Sequence, residues 1–286
     1  RRMIDSTMTR LSSLVLSIVA LLLSSCSTQT VVDLPSQNFD QRVKYVVLHY
    51  TSQDLEQSIQ TLTVPSDYSV SSHYLLTPPQ RQKGSQVLRL VEEDKRAWHA
   101  GRSYWHGDTE LNYTSIGIEI VNQSGCSDTL ITLGNSPAFY AACRFEDFPQ
   151  EQIDTLVALL EDILARYPQI KPINILGHSD IAPNRKIDPG PTFPWQILYQ
   201  QGIGTWYDQA DYEAFRAAFA TTPATVQQSQ EQLQNIGYKI ATSGIEDLQS
   251  QLVVRAFQAR YHPAGMTGFI DLDSAAIIHA IAKKYR

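Results

Sequence analysis

Short apolar runs along the chain predict the strands of a buried sheet. Residues Val43–Tyr50 form a mostly apolar run rich in β-branched and aromatic side chains, which predicts a strand with His49 near its end. In Ile116–Ile120 the apolar positions alternate, so the three isoleucines share one face of a predicted strand and Glu119 points to the other face. Each of these strands therefore carries one titratable side chain close to its carboxyl end.

A helical repeat and a further strand follow later in the chain. After Pro149, apolar residues recur at spacings of three and four as far as Tyr167, which predicts an amphipathic helix. Ile173–Leu176 predicts the next buried strand, which leads to His178. A strand, a helix and a strand in succession predict a right-handed crossover and a partly parallel sheet. Less regular patterns predict a helix around Leu55–Leu62 and strands at Ser71–Leu76 and Gln86–Val91.

The predicted fold class is α/β, with a mixed central β-sheet flanked by helices and a small three-helix domain at the C-terminal end. The pattern of apolar and polar residues changes after Trp206, and Thr221-Thr222-Pro223 predicts an interruption of the regular structure. Beyond it, helical apolar spacing returns in three short stretches, which predict a second small core. His178 should emerge at the carboxyl end of a strand, where open α/β sheets bind ligands.

The first thirty residues have the pattern of an export signal. A charged start is followed by the uncharged stretch Leu11–Leu23, which is too short for a membrane span and typical of a secretory signal peptide. The ending Leu23-Ser24-Ser25-Cys26 resembles a bacterial lipobox, which predicts lipidation of Cys26 after cleavage. An ordinary signal peptide with an incidental Cys26 is the alternative. Ser27 in place of aspartate favours the outer membrane if the source is a Gram-negative bacterium.

Composition and charge exclude several classes of protein. Apolar residues make up 43% of the chain and charged residues 18%, which supports a packed core. The formal charge of -6, without a basic run, argues against nucleic acid as a partner. Three cysteines without a C-x-x-C pair exclude a disulfide scaffold, a zinc ribbon and a thioredoxin-type redox motif.

Two histidines and one aspartate are the candidate metal ligands. His49 and His178 both end predicted strands, and Asp188 follows ten residues after His178 in a loop that the succeeding proline and glycine make rigid. A catalytic zinc site needs three protein ligands and one open position, and this set supplies two imidazoles and one carboxylate. A histidine at a strand end is, taken alone, more often structural.

Several separated motifs lie within residues 43–206. They are Val46–Thr51, Val70–Leu75, Ala97–Gly101, Ile116–Glu119 and the segment from Gly177 to Pro191. Together these motifs resemble the amidase-2 family of zinc N-acetylmuramoyl-L-alanine amidases. Pro194-Trp195 with Gln201–Trp206 is similar to the lipoprotein branch of the family, the AmiD type. Residues 223–286 resemble a three-helix peptidoglycan-binding module through a few short patterns.

The resemblance implies a division of the chain and a set of roles. One Zn2+ per chain would be held by His49, His178 and Asp188, with Glu119 as the proton shuttle and Lys186 as a cation facing the developing oxyanion. Without the family resemblance, Glu119 and Lys186 would be interpreted as a solvated carboxylate and a surface lysine. The predicted parts are a lipoprotein-type signal peptide (1–25), a lipidated cysteine with a tether (26–42), a zinc amidase domain (43–206), a connecting segment (207–222) and a peptidoglycan-binding-like domain (223–286).

Other polar and aromatic residues have weaker assignments. His73 and His99 are predicted either to support the metal ligands or to line a substrate groove, with a purely structural role as the alternative. Trp98, together with Trp105 and Trp195, could stack on sugars, although buried aromatic side chains are more often part of a core. Cys126 and Cys143 could form a disulfide in an exported loop, or remain free thiols.

The expected function is hydrolysis of the amide between N-acetylmuramic acid and L-alanine in peptidoglycan and muropeptides. The alternative is a non-catalytic peptidoglycan-recognition lipoprotein, which would be expected to lack part of the metal set. A zinc peptidase is disfavoured because the chain has no H-E-x-x-H motif. We expect a monomer, lipid-anchored in the outer membrane and facing the periplasm, without a nucleic-acid partner.

Overall fold

A five-stranded mixed sheet lies at the centre of the computed structural model, which describes residues 31–126 and 143–285. The strands in the described residues are β1 (Tyr45–Tyr50), β2 (Tyr74–Leu76), β3 (Val87–Arg89), β4 (Tyr104–Trp105), β5 (Asp108–Thr109), β6 (Ser115–Ile120), β7 (Gly125–Cys126), β8 (Cys143–Arg144) and β9 (Ile175–Gly177). The strand order in the central sheet is β3-β2-β6-β1-β9, and two short antiparallel pairs, β4–β5 and β7–β8, lie outside it.

Helices cover both faces of this sheet. The first begins after Asp54, whose side chain accepts a hydrogen bond from the Gln57 amide and so caps the helix. The α-helices in the described residues are α1 (Leu55–Thr63), α2 (Gln150–Arg166), α3 (His178–Ile181), α4 (Trp195–Gln200), α5 (Gln209–Thr221), α6 (Val226–Ile236), α7 (Leu248–Tyr261) and α8 (Leu272–Tyr285). The predicted α/β class with a helical C-terminal region is confirmed.

Parallel pairing brings three strand ends to one edge of the sheet. Strand β1 pairs in parallel with β6 on one side and with β9 on the other, so their carboxyl ends meet. In this register His49 lies opposite Glu119, and Leu48 lies opposite Gly177, the residue before His178. The sequence predicted a partly parallel sheet but not that β1 would lie between β6 and β9.

The two faces of the sheet pack into different cores. Val46 and Leu48 of β1 and the three isoleucines of β6 pack with the apolar stripe of α2, as the alternating pattern predicted. Tyr45 and Val47 of β1 face the other way, into a core that contains apolar residues of α6, α7 and α8. Each fully buried aliphatic or aromatic side chain contributes about 1.5–3 kcal/mol by leaving water. The C-terminal helices are thus packed directly against the sheet.

Several predicted boundaries were too wide. Strand β2 starts at Tyr74 rather than Ser71, because the Ser71 amide and hydroxyl bond to the backbone of Trp98 instead of to a neighbouring strand. Strand β9 starts at Ile175, because Pro172–Asn174 form a 3-10 turn. The predicted connecting segment contains helix α5, which forms ion pairs with α8 through Arg216 and Asp273.

Residues Gln41–Arg286 form one compact unit, and residues up to Asp40 belong to another. Residues 31–40 of the first unit are exposed and contain no helix or strand. The predicted signal peptide and Cys26 lie outside the described residues, and the division at 206 and 223 stays a prediction. In the part of the chain that the structure describes, none of the helices has the length and apolar character needed to cross a membrane.

Candidate active site

Three predicted ligands converge at the carboxyl edge of the sheet. His49 is the penultimate residue of β1, His178 opens α3 directly after β9, and Asp188 lies in the loop that follows α3. All three side chains are buried. His49 Nδ1 lies 3.0 Å from His178 Nδ1 and 2.9 Å from Asp188 Oδ2, and His178 Nδ1 lies 3.0 Å from the same oxygen. These separations suit three bonds of about 2.0–2.2 Å to one zinc ion.

For His49 and His178, the hydrogen bond made by Nε2, the ring nitrogen that faces away from Asp188, determines which nitrogen carries the proton. Ser115 Oγ donates to the Leu111 carbonyl at 2.6 Å, so it accepts from His99 Nε2 at 3.1 Å. His99 Nδ1 is then an acceptor for His49 Nε2 at 3.0 Å. His178 Nε2 donates to the Ala100 carbonyl at 3.2 Å. In their neutral forms both ligand histidines therefore turn an unprotonated Nδ1 toward Asp188.

Electrostatics favour a cation at the point where these atoms meet. Burial lowers the pKa of His178 to about 4, so its ring is neutral at physiological pH. Burial opposes ionisation of Asp188, and the pKa of that carboxyl is held well below its ordinary value only where its neighbours His178 and His49 direct positive charge or a proton toward it. Two nitrogen lone pairs and a carboxylate oxygen would repel one another at 3 Å without a positive charge between them. The donor set therefore fits a divalent metal.

Glu119 is a buried carboxylate beside this donor set. Its side chain lies on the face of β6 opposite the isoleucines, as the alternation predicted, and lines the same cavity as His49 and His178. Its Oε2 has no hydrogen-bond partner among the described residues. Burial raises the pKa of Glu119 to about 7, although the neighbouring His49 and Lys186 act in the opposite direction. A carboxyl with a pKa near 7 is suited to accept and return a proton.

The cavity above these residues has a volume of about 290 Å³. Lys186 and Arg185 line one side of it, and helix α1 contributes to another. Cys126 also lines the cavity and is joined to Cys143 by a disulfide across the β7–β8 pair, with a Cα–Cα distance of 4.1 Å. All the residues between these two cysteines, 127–142, lie outside the described residues.

The remaining sequence candidates occupy different places. His99 lines the cavity and contacts His49, whereas His73 is fully buried and bonds to the Gly117 amide and the Lys95 carbonyl. Trp98 is 45% exposed and stacks with the Arg96 guanidinium, and it does not line the cavity. The two other tryptophans are buried: Trp105 packs against Tyr238, and Trp195 packs under Arg260. Of the two alternatives stated for them, sugar stacking or a place in the core, the structure shows the core for both.

Two supporting residues were missed by the sequence reasoning. Asn112 Oδ1 accepts hydrogen bonds from the amides of His99 and Ala100, at 3.0 and 2.7 Å, and so fixes the backbone that faces both ligand histidines. The Arg185 guanidinium bonds to the carbonyls of Ala100 and Arg102. Arg185 stands beside Lys186 in the loop already assigned to the site, so its position was a usable signal. The sequence around Asn112 contained no signal that indicated its role.

A mixed sheet with two histidines, an aspartate and a buried carboxylate at its carboxyl edge is typical of a metal-dependent hydrolase. The model of the Amidase_2 family, N-acetylmuramoyl-L-alanine amidase, matches residues 39–191. The chain is 40% identical over 247 residues to N-acetylmuramoyl-L-alanine amidase AmiD of Escherichia coli K12, with 85% of this chain and 84% of the relative covered. The chain belongs to this amidase family.

Solved structures support the same assignment over most of the chain. The crystal structure of AmpDh3 from Pseudomonas aeruginosa matches with a TM-score of 0.79 and 36% identity, covering 90% of this chain and 99% of that one. AmiD from E. coli in complex with the substrate anhydro-N-acetylmuramic acid-L-Ala-D-gamma-Glu-L-Lys matches with a TM-score of 0.75 and 40% identity, covering 88% and 93%. Each match leaves at most 12% of the chain uncovered, which is fewer residues than 223–286 contain, so both matches reach into the C-terminal helical region.

Proposed function

We propose that this chain hydrolyses the amide bond between the lactyl group of N-acetylmuramic acid and the L-alanine of the stem peptide, in peptidoglycan and in muropeptides, with one Zn2+ held by His49, His178 and Asp188. The single observation that carries the proposal is the complete donor set beside a buried carboxylate in one cavity. Solved relatives contain anhydromuramic pentapeptide or an anhydro-N-acetylmuramic acid peptide, which supports muropeptides as substrates.

Zinc, when bound, supplies a Lewis acid that polarises a carbonyl and lowers the pKa of water. Glu119 accepts the proton of the attacking water and delivers it to the nitrogen of L-alanine as the carbon–nitrogen bond breaks. One water is consumed, a lactyl carboxyl group and a free amine are formed, and Glu119 returns to its starting state. Its position in the cavity and its pKa of about 7 support this role.

Lys186 stabilises the negative charge that develops on the carbonyl oxygen. It is half-buried, lines the cavity and lies two residues before Asp188, which supports this role. A fixed cation at this place acts most strongly in the transition state, when the charge is largest. His99, Ser115 and Asn112 keep His49 in the orientation and protonation state that metal binding needs.

Digestion of purified peptidoglycan and of an anhydromuropeptide, followed by mass spectrometry, tests the proposed reaction. The wild-type protein with zinc should release peptides with a free L-alanine amino end, and chelated protein should release none until zinc is restored. Glu119→Gln should keep zinc and lose turnover, whereas Glu161→Gln, an exposed glutamate of α2, should behave as wild type. A protein that binds zinc and peptidoglycan but releases no peptide would instead be a recognition protein.

We also propose that Cys26 is lipidated and holds the enzyme, as a monomer, in the outer membrane facing the periplasm. The sequence Leu23-Ser24-Ser25-Cys26 after an apolar stretch supports this, as does Ser27 in the next position. Cys26→Ala should release the protein from washed membranes without loss of amidase activity. Retention of that variant on the membrane after a high-salt wash would contradict the lipid anchor.

A further inference from the structure

A buried ion pair connects the C-terminal helices to the turn that carries a metal ligand. Arg260 of α7 donates from Nη1 to Asp180 Oδ2 of α3 at 2.8 Å, with side chains only 3% and 1% exposed. Tyr238, which follows α6, donates from its hydroxyl to Asp180 Oδ1 at 2.5 Å. Arg260 Nη2 also bonds to Thr205 Oγ1 at 3.0 Å. Both oxygens of Asp180 are therefore held by residues of the C-terminal region.

Asp180 stands where it can control the orientation of His178. The two residues share α3, which is four residues long, and Asp180 Oδ2 also accepts the Gly177 amide at 2.8 Å, directly before His178. The Ser179 amide donates to the Asp188 carbonyl at 2.9 Å, so the same turn is tied to the third ligand. One helical turn does not form on its own, because nucleation is unfavourable. Its shape depends on these outside contacts.

Arg260 also contacts Trp195, which packs at the end of β9 beside the Asp188 loop. Its guanidinium lies over the Trp195 ring, 4.0 Å from the centroid. Trp195 and Pro189 press against the strand end at Gly177, where an added Cβ would lie 2.8 Å from Pro189 Cδ and 3.3 Å from the tryptophan ring. Arg260 therefore contacts both Asp180, which shares a helical turn with His178, and Trp195, which packs with Pro189 of the Asp188 loop against Gly177.

We propose that Arg260 and Tyr238 are positioning residues for the metal centre. The C-terminal helices then help to form the active site, in addition to any surface by which they bind the cell wall. The proposal rests on the zinc site of the proposed function. Arg260 and Tyr238 both act through Asp180 on the turn of His178, and Arg260 also acts through Trp195 on the Asp188 loop. Removing an outer partner of a metal ligand typically weakens metal binding about 10- to 100-fold.

The test measures zinc affinity in the full chain by competition with a chelator, together with the absorption spectrum of the cobalt-substituted protein. Because Arg260 reaches the ligands only through Asp180 and Trp195, Arg260→Met should bind zinc up to about 10-fold more weakly, the lower end of the range for direct partners, and should change the cobalt spectrum. Arg260→Lys, which keeps the charge beside Asp180, should recover part of that affinity. Tyr238→Phe should give a smaller loss. The matched control is Tyr285→Phe, which should leave zinc affinity unchanged, because among the described residues the Tyr285 hydroxyl bonds to the backbone of Trp206.

Melting temperatures of the same preparations separate positioning from general destabilisation. A lower melting temperature for Arg260→Met with wild-type zinc affinity and cobalt spectrum would overturn the proposal. If Arg260→Met does not fold, Tyr238→Phe decides alone, and wild-type zinc affinity in it would overturn the proposal equally. A wild-type protein that fails to bind zinc contradicts the proposed function instead, so the two failures are distinguishable.

Discussion

Replacing Glu119 with glutamine is expected to change how the stability of the metal-free protein depends on pH. Burial raises the pKa of this carboxyl from its ordinary value of 4.5 to about 7, and its Oε2 lacks a hydrogen-bond partner among the described residues. One pKa unit corresponds to about 1.4 kcal/mol. Ionisation of Glu119 in the folded protein therefore lowers the free energy of unfolding by about 3 kcal/mol.

The direction of the effect follows from the order of the two pKa values. The folded-state pKa is the higher one, so between pH 4.5 and about 7 the folded protein binds more protons than the unfolded chain. The stability from protonated Glu119 is fully present below the lower value and is lost as pH rises through the upper one. Glutamine does not titrate. The free energy of unfolding of Glu119→Gln, relative to wild type, should thus rise by about 3 kcal/mol across this window.

Urea unfolding of both proteins in a chelating buffer, at a series of pH values, measures this difference. Comparing the change with pH removes the constant effect of the altered side chain, such as the new amide that needs partners. Other groups that titrate in the cavity are present in both proteins. Glu161→Gln, at an exposed position, should follow the wild-type curve. If the curve of Glu119→Gln also runs parallel to that of wild type, Glu119 does not carry a raised pKa and the reasoning is refuted.

Three further changes test the rest of the site. His99→Ala removes the acceptor of His49 Nε2, so zinc affinity measured by chelator competition should fall about 10- to 100-fold, and unchanged affinity would exclude this support. Lys186→Ala should keep stoichiometric zinc and lower the turnover number by about 10²–10³-fold, as for other groups that stabilise an oxyanion, and near-normal turnover would place that cation elsewhere. Replacing Cys126 and Cys143 with alanine opens a link across 17 positions and should lower the free energy of unfolding by about 3 kcal/mol in urea melts under non-reducing conditions.

The donor set of the candidate metal site could be predicted from the sequence because its two histidines stand next to strong local patterns. His49 ends a continuous apolar run, and His178 follows another, and buried parallel strands consist of such runs. Since parallel strands present their carboxyl ends at one edge, two strand-end histidines are expected to meet. The order of the strands was not predictable, because β1, β6 and β9 pair across more than sixty positions and no local pattern specifies which strand lies in the middle.

Residues that act through long-range contacts escaped the sequence reasoning. The Arg260–Asp180 pair spans 80 positions and joins two parts that the composition suggested were separate. Trp105 and Trp195 were ambiguous for a different reason, since an aromatic residue near a motif can equally line a substrate groove or belong to the core. Only the packing of the C-terminal helices, which cover Trp105 and place Arg260 on Trp195, decides between these possibilities.

Gly117 shows how a sequence signal can be informative once the site is known. It interrupts the isoleucines of β6, and its backbone has no unusual conformation that would require glycine. Space is the reason, because a Cβ at Gly117 would lie 2.7 Å from His99 Nδ1, the atom that accepts from His49. Gly117→Ala should therefore displace the His99 ring and weaken zinc binding. In a His99→Ala background the same substitution meets no ring and should have little further effect on zinc affinity. Equal losses in both backgrounds would mean that Gly117 acts on the strand itself rather than through His99.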